Sequence, residues 1–296
     1  MIARAPGKVV LSGAYAVLGG APALVAAVDR YVYADATRPA HFVTPEVSAA
    51  LAGRGTEAPW FDATALRDGA RKLGLGSSAA ILVASLAALE LRENASLTPN
   101  DLAERLFQRA LSAHARAQGG GSGIDVAAST HGGVLLARRE AQTLNVSPVR
   151  LPAGLQVRVL AAEQPASTPQ LVARVADLGR RDPALHESCM RRQREASESA
   201  AAAALAGDAG LFLDSLRAQH AALRALGEAA GISIVTPEVE ALARAATERG
   251  AAALPAGAGG GDIAVWVGAL DVELPVTPGL SPLDLRLGAT GVARAD

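Results

Sequence analysis

Only two lysines stand among the 28 basic residues of this chain, and both sit beside glycine: Lys8 in APGK (5–8) and Lys72 in KLGLGSS (72–78). Arginine is the cation everywhere else. An ammonium is a compact point charge suited to one phosphate oxygen or to moving a proton, whereas a guanidinium is a flat fork. Two placements beside glycine loops point to a use for the point charge, against the plainer reading that two lysines survive by chance. From Lys72 the chain runs through Gly74-Leu75-Gly76-Ser77-Ser78-Ala79 into an apolar stretch rich in alanine and leucine. If that stretch is a helix, its first N–H groups lack partners and carry the positive end of the helix dipole. Glycines ahead of it let a phosphate come within hydrogen-bond distance of those amides. Ser77 and Ser78 add hydroxyls, as donors to phosphate or, at Ser78, as a magnesium ligand.

Two familiar glycine loops do not fit. The NTPase phosphate loop needs a lysine after its last glycine, and none follows Gly76. The run Gly74 to Ala79 matches the dinucleotide pattern GxGxxA, which requires a buried strand before it and an acid about twenty residues on. The preceding TALRDGARK is too polar for such a strand, and Glu90 and Glu93 come too early. What remains as an alternative is a glycine-rich helix entry that merely packs against a strand.

A second loop, Gly119 to Gly123, leads through Ser122 to Asp125 in GGGSGIDVAAST. One acid crowded by glycines reads as a carboxylate in a tight pocket, placed to accept a proton or to organise a phosphoryl acceptor. The alternative is a helix C-cap followed by an ordinary capping aspartate. A third loop, Gly257-Ala258-Gly259-Gly260-Gly261, can close over a ligand or serve as a glycine hairpin. The histidines, at 41, 114, 131, 186 and 220, show no zinc-site spacing with acids, although His114 and His131 flank the Asp125 loop.

These residues need a scaffold, and the pattern supplies one. Residues 2–12 and 22–36 are apolar and rich in β-branched residues, and read as strands around a turn at Gly19-Gly20. Residues 78–92 read as a buried helix. Thr98-Pro99 opens another that ends in the glycine run, and a strand follows at about 132–138. After Pro152 come a strand at 155–162, a helix opened by Ser167-Thr168-Pro169, and long helices at 183–206 and 208–229. A short strand at 232–235, a helix capped by Thr236-Pro237, and a strand, glycine loop and strand close the series. The expected class is α+β in two domains, 1–152 and 153–296. A net charge of -1 argues against a nucleic-acid or membrane-surface partner, and the single cysteine, Cys189, excludes an internal disulfide framework. No run suits a membrane helix and the first residues do not read as a signal peptide, so a cytoplasmic protein, monomeric or a homodimer, is expected.

Taken in order, APGKVVLSGAYAVLGGAPALVAAVD (5–29), KLGLGSSAA (72–80) and PAGAGGGDIA (255–264) resemble the three signature motifs of the GHMP kinases, which phosphorylate small molecules with ATP. The resemblance spans nearly the whole chain. It implies an N-terminal domain like one found in a ribosomal protein, a ferredoxin-like C-terminal domain, and ATP phosphates at the helix after GLGSS. Within the family the details resemble the phosphomevalonate kinases, through Lys72 before the second motif, His114, Gln118 and Gly119, then Ser122, Gly123, Asp125, Val126 and Ala127, and Asp262 closing the third loop. Two positions depart from the family pattern. Ala14 stands where an acid is frequent, and Leu254-Pro255-Ala256 where Lys-Pro-Ser is usual.

The resemblance therefore implies transfer of the ATP γ-phosphoryl group to 5-phosphomevalonate, with magnesium. A hydroxyl acceptor needs a base, but a phosphate monoester, with a second pKa near ~6, is already largely anionic at neutral pH. Repulsion between phosphates is then the obstacle, and cations relieve it. Lys8 would bridge donor and acceptor, Lys72 would meet the nucleotide or the acceptor phosphate, and Asp125 would hold Lys8. ATP would lie on Lys72, Gly74, Leu75, Gly76, Ser77, Ser78 and Ala79. The acceptor would lie among Lys8, Ser12, Tyr15, Ser122, Gly123, Arg138 and Gly257 to Gly260. Mevalonate kinase or another kinase of the family, and a non-catalytic nucleotide-binding protein, are the alternatives.

Overall fold

A computed structural model describes residues 1–69, 71–140, 143–163 and 168–295. The β-branched opening forms β1 (Ile2–Ser12) and β2 (Pro22–Pro39), with a 3-10 turn at Ala16–Gly19 between them. α1 (Pro45–Leu51) begins at Thr44, whose hydroxyl accepts the Val47 N–H, with proline in the first turn. β3 (Pro59–Asp62) and the two-residue strands β4 (Arg67–Asp68) and β5 (Arg71–Lys72) lead to α2 (Ser77–Glu93). Alanine and leucine pack α2 on most sides, as its composition predicts. α3 (Pro99–Gln118) starts with a reciprocal Thr98–Asp101 capping box and buries Leu102, Leu106, Phe107 and Ala110 along one face.

α4 (Ile124–His131) follows, then β6 (Val134–Glu140), β7 (Thr143–Pro148) and β8 (Leu155–Ala162). Four helices come next: α5 (Thr168–Arg181), α6 (Pro183–Ala206), α7 (Ala209–Ala230) and α8 (Pro237–Glu248). β9 (Ala252–Pro255), β10 (Ile263–Ala269), β11 (Leu280–Pro282) and β12 (Ala293–Arg294) complete the chain. One sheet has the order β12-β1-β2-β6-β7, with β3 also paired to β2, and a second has the order β11-β8-β10-β9. β1 and β12 run antiparallel with Ala3 opposite Arg294, and β8 and β10 with Val159 opposite Val265.

The chain separates into two compact units that are not successive halves. The first holds 1–9, 25–135 and 285–296; the second holds 10–24 and 136–284. Residue 152, where composition shifts, lies inside the second. In the first unit the apolar faces of α2 and α3 meet, with Leu82, Leu86, Leu102 and Leu106 fully enclosed. In the second, Trp266 of β10 sits among Leu160, Val239, Leu242, Ala246 and Ala253.

The α+β class is as expected, and three details differ from the sequence reading. Residues 232–235 form no strand. The Ile232 N–H caps α7 on the Gly227 carbonyl and the Ile234 carbonyl accepts from Gly260 N–H, so this backbone bonds to a helix end and a loop. The strand expected from 132 begins at Val134, because Gly132 and Gly133 make loop contacts with 289–290. The residues after the Asp125 loop are helical from Ile124. Ser167, expected to help open α5, lies outside the described residues. Among the described residues no helix is long and apolar enough to cross a membrane.

Candidate active site

The first unit brings the opening motif against the second glycine loop. Lys8 N–H donates to the Leu75 carbonyl at 2.9 Å, and Lys8 Nζ reaches the Gly74 carbonyl at 3.3 Å. The lysine stem lies over Gly76. A Cβ on Gly76 would stand 2.8 Å from Lys8 Cγ, and its φ of 75° disfavours any other residue. That glycine is also the N-cap of α2 and offers no side chain to the first turn, which holds no acid either. α1 and α3, by contrast, are capped by threonine. The amides at the start of α2 are thus left for an external anion, next to an ammonium. Ser77 and Ser78 stand half-buried in this turn, and Ala79 is buried behind them.

α4 starts on the same kind of glycine cap, but an acid stands in its first turn and accepts the Val126 N–H at 2.9 Å. Its N-cap is Gly123, again left-handed with φ 75° and no side-chain cap, and Ser122 precedes it half-buried. Ser129 ties the helix to the first motif by donating to the Pro6 carbonyl at 2.9 Å. Asp125 stands in its first turn. Burial alone would raise this carboxyl, but His114, the nearby Lys8 charge and the Val126 amide outweigh it and hold the pKa down to about 2. Asp125 is therefore an anion at neutral pH. The His114 Nε2 to Asp125 Oδ2 separation is 3.3 Å, yet the ring N–H is not aligned on the oxygen as a directed hydrogen bond. Charge attraction couples the two side chains.

Behind His114 lies Glu46 of α1, a carboxylate only 5% exposed that accepts a hydrogen bond from Gln118 Nε2 at 3.1 Å. Sequence reasoning missed Glu46. Thr44-Pro45 announces the helix, but nothing in the local pattern says that its first acid is buried rather than solvated.

The second unit gathers the remainder of the first motif with the third loop. The Tyr15 hydroxyl donates to the Ala258 carbonyl at 2.7 Å, and the Gly260 N–H donates to Ile234 O at 2.9 Å. Tyr15 is the one non-glycine residue with positive φ among the described residues, at φ 60° and ψ -49°. Ala16 N–H closes a three-residue γ-turn on Ala14 O at 2.7 Å around it, a strained conformation. Gly13 N–H is held by Gln219 Oε1 of α7 at 3.2 Å, a second contact no motif announced. Ser12 is buried, with its hydroxyl unpaired among the described residues. Gly257 and Gly260 are half-buried, and Gly259 is buried against Ile234.

Two expected ligands stand differently. Arg138 is engaged in a two-pronged ion pair with Glu198, at 2.9 and 2.7 Å, and also donates to Gly20 O. Its fork is occupied, so an acceptor phosphate there would have to displace a carboxylate. Lys72 is exposed on β5, and its ammonium has no hydrogen bond or ion pair among the described residues. For magnesium, no group of three or more His, Cys, Asp or Glu among the described residues is placed as a cage. An ion that keeps its water and takes its charge from phosphate oxygens fits Ser78, whose hydroxyl stands at the open start of α2.

Residues 60–133 match the model of the GHMP kinases N terminal domain. A phosphomevalonate kinase of Streptomyces sp. (strain CL190) is 30% identical, over 95% of this chain and 97% of that protein. The chain belongs to the GHMP kinases and is a phosphotransferase. Its relatives place it with the mevalonate-pathway kinases of that family. A mevalonate kinase of Archaeoglobus fulgidus (strain ATCC 49558 / DSM 4304 / JCM 9628 / NBRC 100126 / VC-16) is 31% identical over 62% of this chain and 66% of that protein. In fold the chain is similar to Streptococcus pneumoniae phosphomevalonate kinase, solved in complex with phosphomevalonate and AMPPNP. That match has a TM-score of 0.76 and 20% identity, and covers 97% of this chain and 100% of that one.

Proposed function

We propose that this kinase transfers the γ-phosphoryl group of ATP to the terminal phosphate of 5-phosphomevalonate, giving the diphosphate. The observation that carries the reading is the juxtaposition in the first unit: one ammonium, Lys8, laid over the uncapped start of α2, beside the ionised Asp125. The relative of 30% identity carries the same activity in its name, which supports the choice of acceptor.

The chemistry follows from charge. An acceptor phosphate is already an anion near neutral pH and needs no base. What it needs is relief from repulsion as it approaches the γ-phosphate. The α2 amides, with Gly74, Leu75, Gly76, Ser77, Ser78 and Ala79, receive the nucleotide phosphates. Lys8 neutralises charge between donor and acceptor. Asp125, too acidic to take a proton at neutral pH, holds Lys8 in place. Lys72, exposed on β5 just ahead of the glycine loop, is an outer contact for the nucleotide. Ser122 and Gly123 are the contacts for the acceptor within the first unit. Magnesium, held at Ser78, would offset phosphate charge when bound.

A coupled ADP-release assay with mevalonate and 5-phosphomevalonate side by side tests the assignment. Turnover of the phosphorylated acceptor alone is expected. Preference for mevalonate makes this a mevalonate kinase, and ATP binding without turnover of either makes it a nucleotide-binding protein.

A further inference from the structure

Four titratable groups lie in series in the first unit, and the reaction as described uses only two of them. Lys8 and Asp125 face the phosphates. Behind Asp125 comes His114, whose side chain is 4% exposed, and then Glu46, 5% exposed. A buried carboxylate is costly unless a cation or several donors compensate it, and Glu46 accepts a hydrogen bond from the neutral Gln118 amide.

We propose that His114 is a positioning residue, a buried imidazolium wedged between Asp125 and Glu46 that neutralises Asp125 so that the charge of Lys8 stays available to the phosphates. The proposal rests on the phosphoryl-transfer reading above. With His114 charged, the four groups sum to zero, and each carboxylate has its own cation or shares one. With His114 neutral, Asp125 and Glu46 leave an excess negative charge beside the site, and Asp125 draws the Lys8 ammonium towards itself and away from an incoming anion. An acid-rich wall is what a reaction between two phosphates least tolerates.

The surroundings of the ring support a cation. Burial alone would lower its pKa, but Asp125 and Glu46 together carry it above the ordinary imidazole value. Asp125 faces it from α4, Glu46 from α1, and Lys8 from β1 by way of Asp125. On α2 the acid turned towards α3 is Glu90, already paired with Arg109 and Arg105. The other histidine of this region, His131 on α4, packs edge-on to Phe107 and is pushed down by burial, so it contributes no charge near neutrality.

The test combines an NMR titration of the histidine ring protons in the full chain with the pH profile of kcat. His114→Gln assigns the signal. We expect His114 to titrate above the ordinary value near ~6.5, and Glu46→Gln and Asp125→Asn each to bring it down. In the rate profile the acid limb belongs to the acceptor phosphate and the alkaline limb to His114. Glu46→Gln should therefore move the alkaline limb to lower pH. His114→Gln should abolish that limb and lower kcat on the order of 10-fold, the lower end of what orienting partners contribute around reactive groups. A His114 signal titrating at or below the ordinary value overturns the proposal, as does an alkaline limb unmoved by Glu46→Gln. If the chain turns over neither acceptor, the titration still decides whether His114 is the shared cation, so the two readings fail separately.

Discussion

At the scale of single residues, what distinguishes this site is where one ammonium is put. Lys8 is pinned through its own backbone to Leu75 and through Nζ to Gly74, and its stem fills the space that a side chain on Gly76 would take. Removing it takes away a positioned charge rather than a diffuse one. Lys8→Ala should lower kcat by at least ~100-fold, the usual scale for losing a positioned charged group. Asp125→Asn should do the same. Steady-state assays on folded variants check both, and near-normal turnover removes that residue from the mechanism. Lys72 is a different case. The scarcity of lysine made it look equivalent to Lys8, but exposure on a two-residue strand gives it no comparable constraint. Lys72→Arg should keep kcat and alter the KM for ATP by less than roughly 3-fold, within the range of exposed ion pairs. A large loss of kcat would restore the requirement for an ammonium there.

At the scale of elements, the strand and helix pattern was legible wherever chemistry marks an end. Thr98 and Asp101 announce α3, Thr236 and Pro237 announce α8, and alternation gives β8 its observed limits. α4 was not read as a helix because its cap is a left-handed glycine inside a glycine run, which carries no side-chain signature. In its first turn the Asp125 carboxylate accepts the Val126 N–H instead, at 2.9 Å. Residues 232–235 look like a strand by composition, yet their backbone groups are taken by α7 and by the third loop. That loop depends on Tyr15, whose strained turn is stabilised by its hydroxyl bond to Ala258. Burial raises the phenol far above its usual range, so it is a permanent donor. Tyr15→Phe leaves the Ala258 carbonyl without that partner and should cost about 1 kcal/mol of stability. If the loop holds the acceptor, its KM should rise roughly 3- to 10-fold with a smaller change in kcat, the signature of lost ground-state binding. An unchanged KM for the acceptor would confine Tyr15 to a structural role.

At the scale of the whole molecule, the two units interleave along the chain, and β1 runs from one into the other between Lys8 and Ser12. A composition shift near 152 could not reveal that, because three of the four boundaries fall inside the continuous strands β1, β2 and β6. Stability should nonetheless report on the first unit through its charged series. Asp125 falls from an ordinary 3.8 to about 2 on folding. A depressed carboxylate stabilises the fold above its unfolded pKa and loses that contribution as pH falls through the folded one. At ~1.4 kcal/mol per unit the ceiling is about 2 kcal/mol. His114 has the opposite sign: its pKa is raised, so its contribution is complete below the unfolded value near ~6.5 and fades as pH climbs through the folded value. The pair therefore supports the fold most between roughly pH 4 and 6.5. Thermal unfolding of the chain and of Asp125→Asn across pH 2 to 9 is the measurement. The variant should melt lower near pH 5, and the gap should shrink as pH falls below about 4, nearly close by about pH 2, and narrow again on the alkaline side. A gap of constant size from acid to alkali would mean that Asp125 and His114 are not coupled in the folded protein.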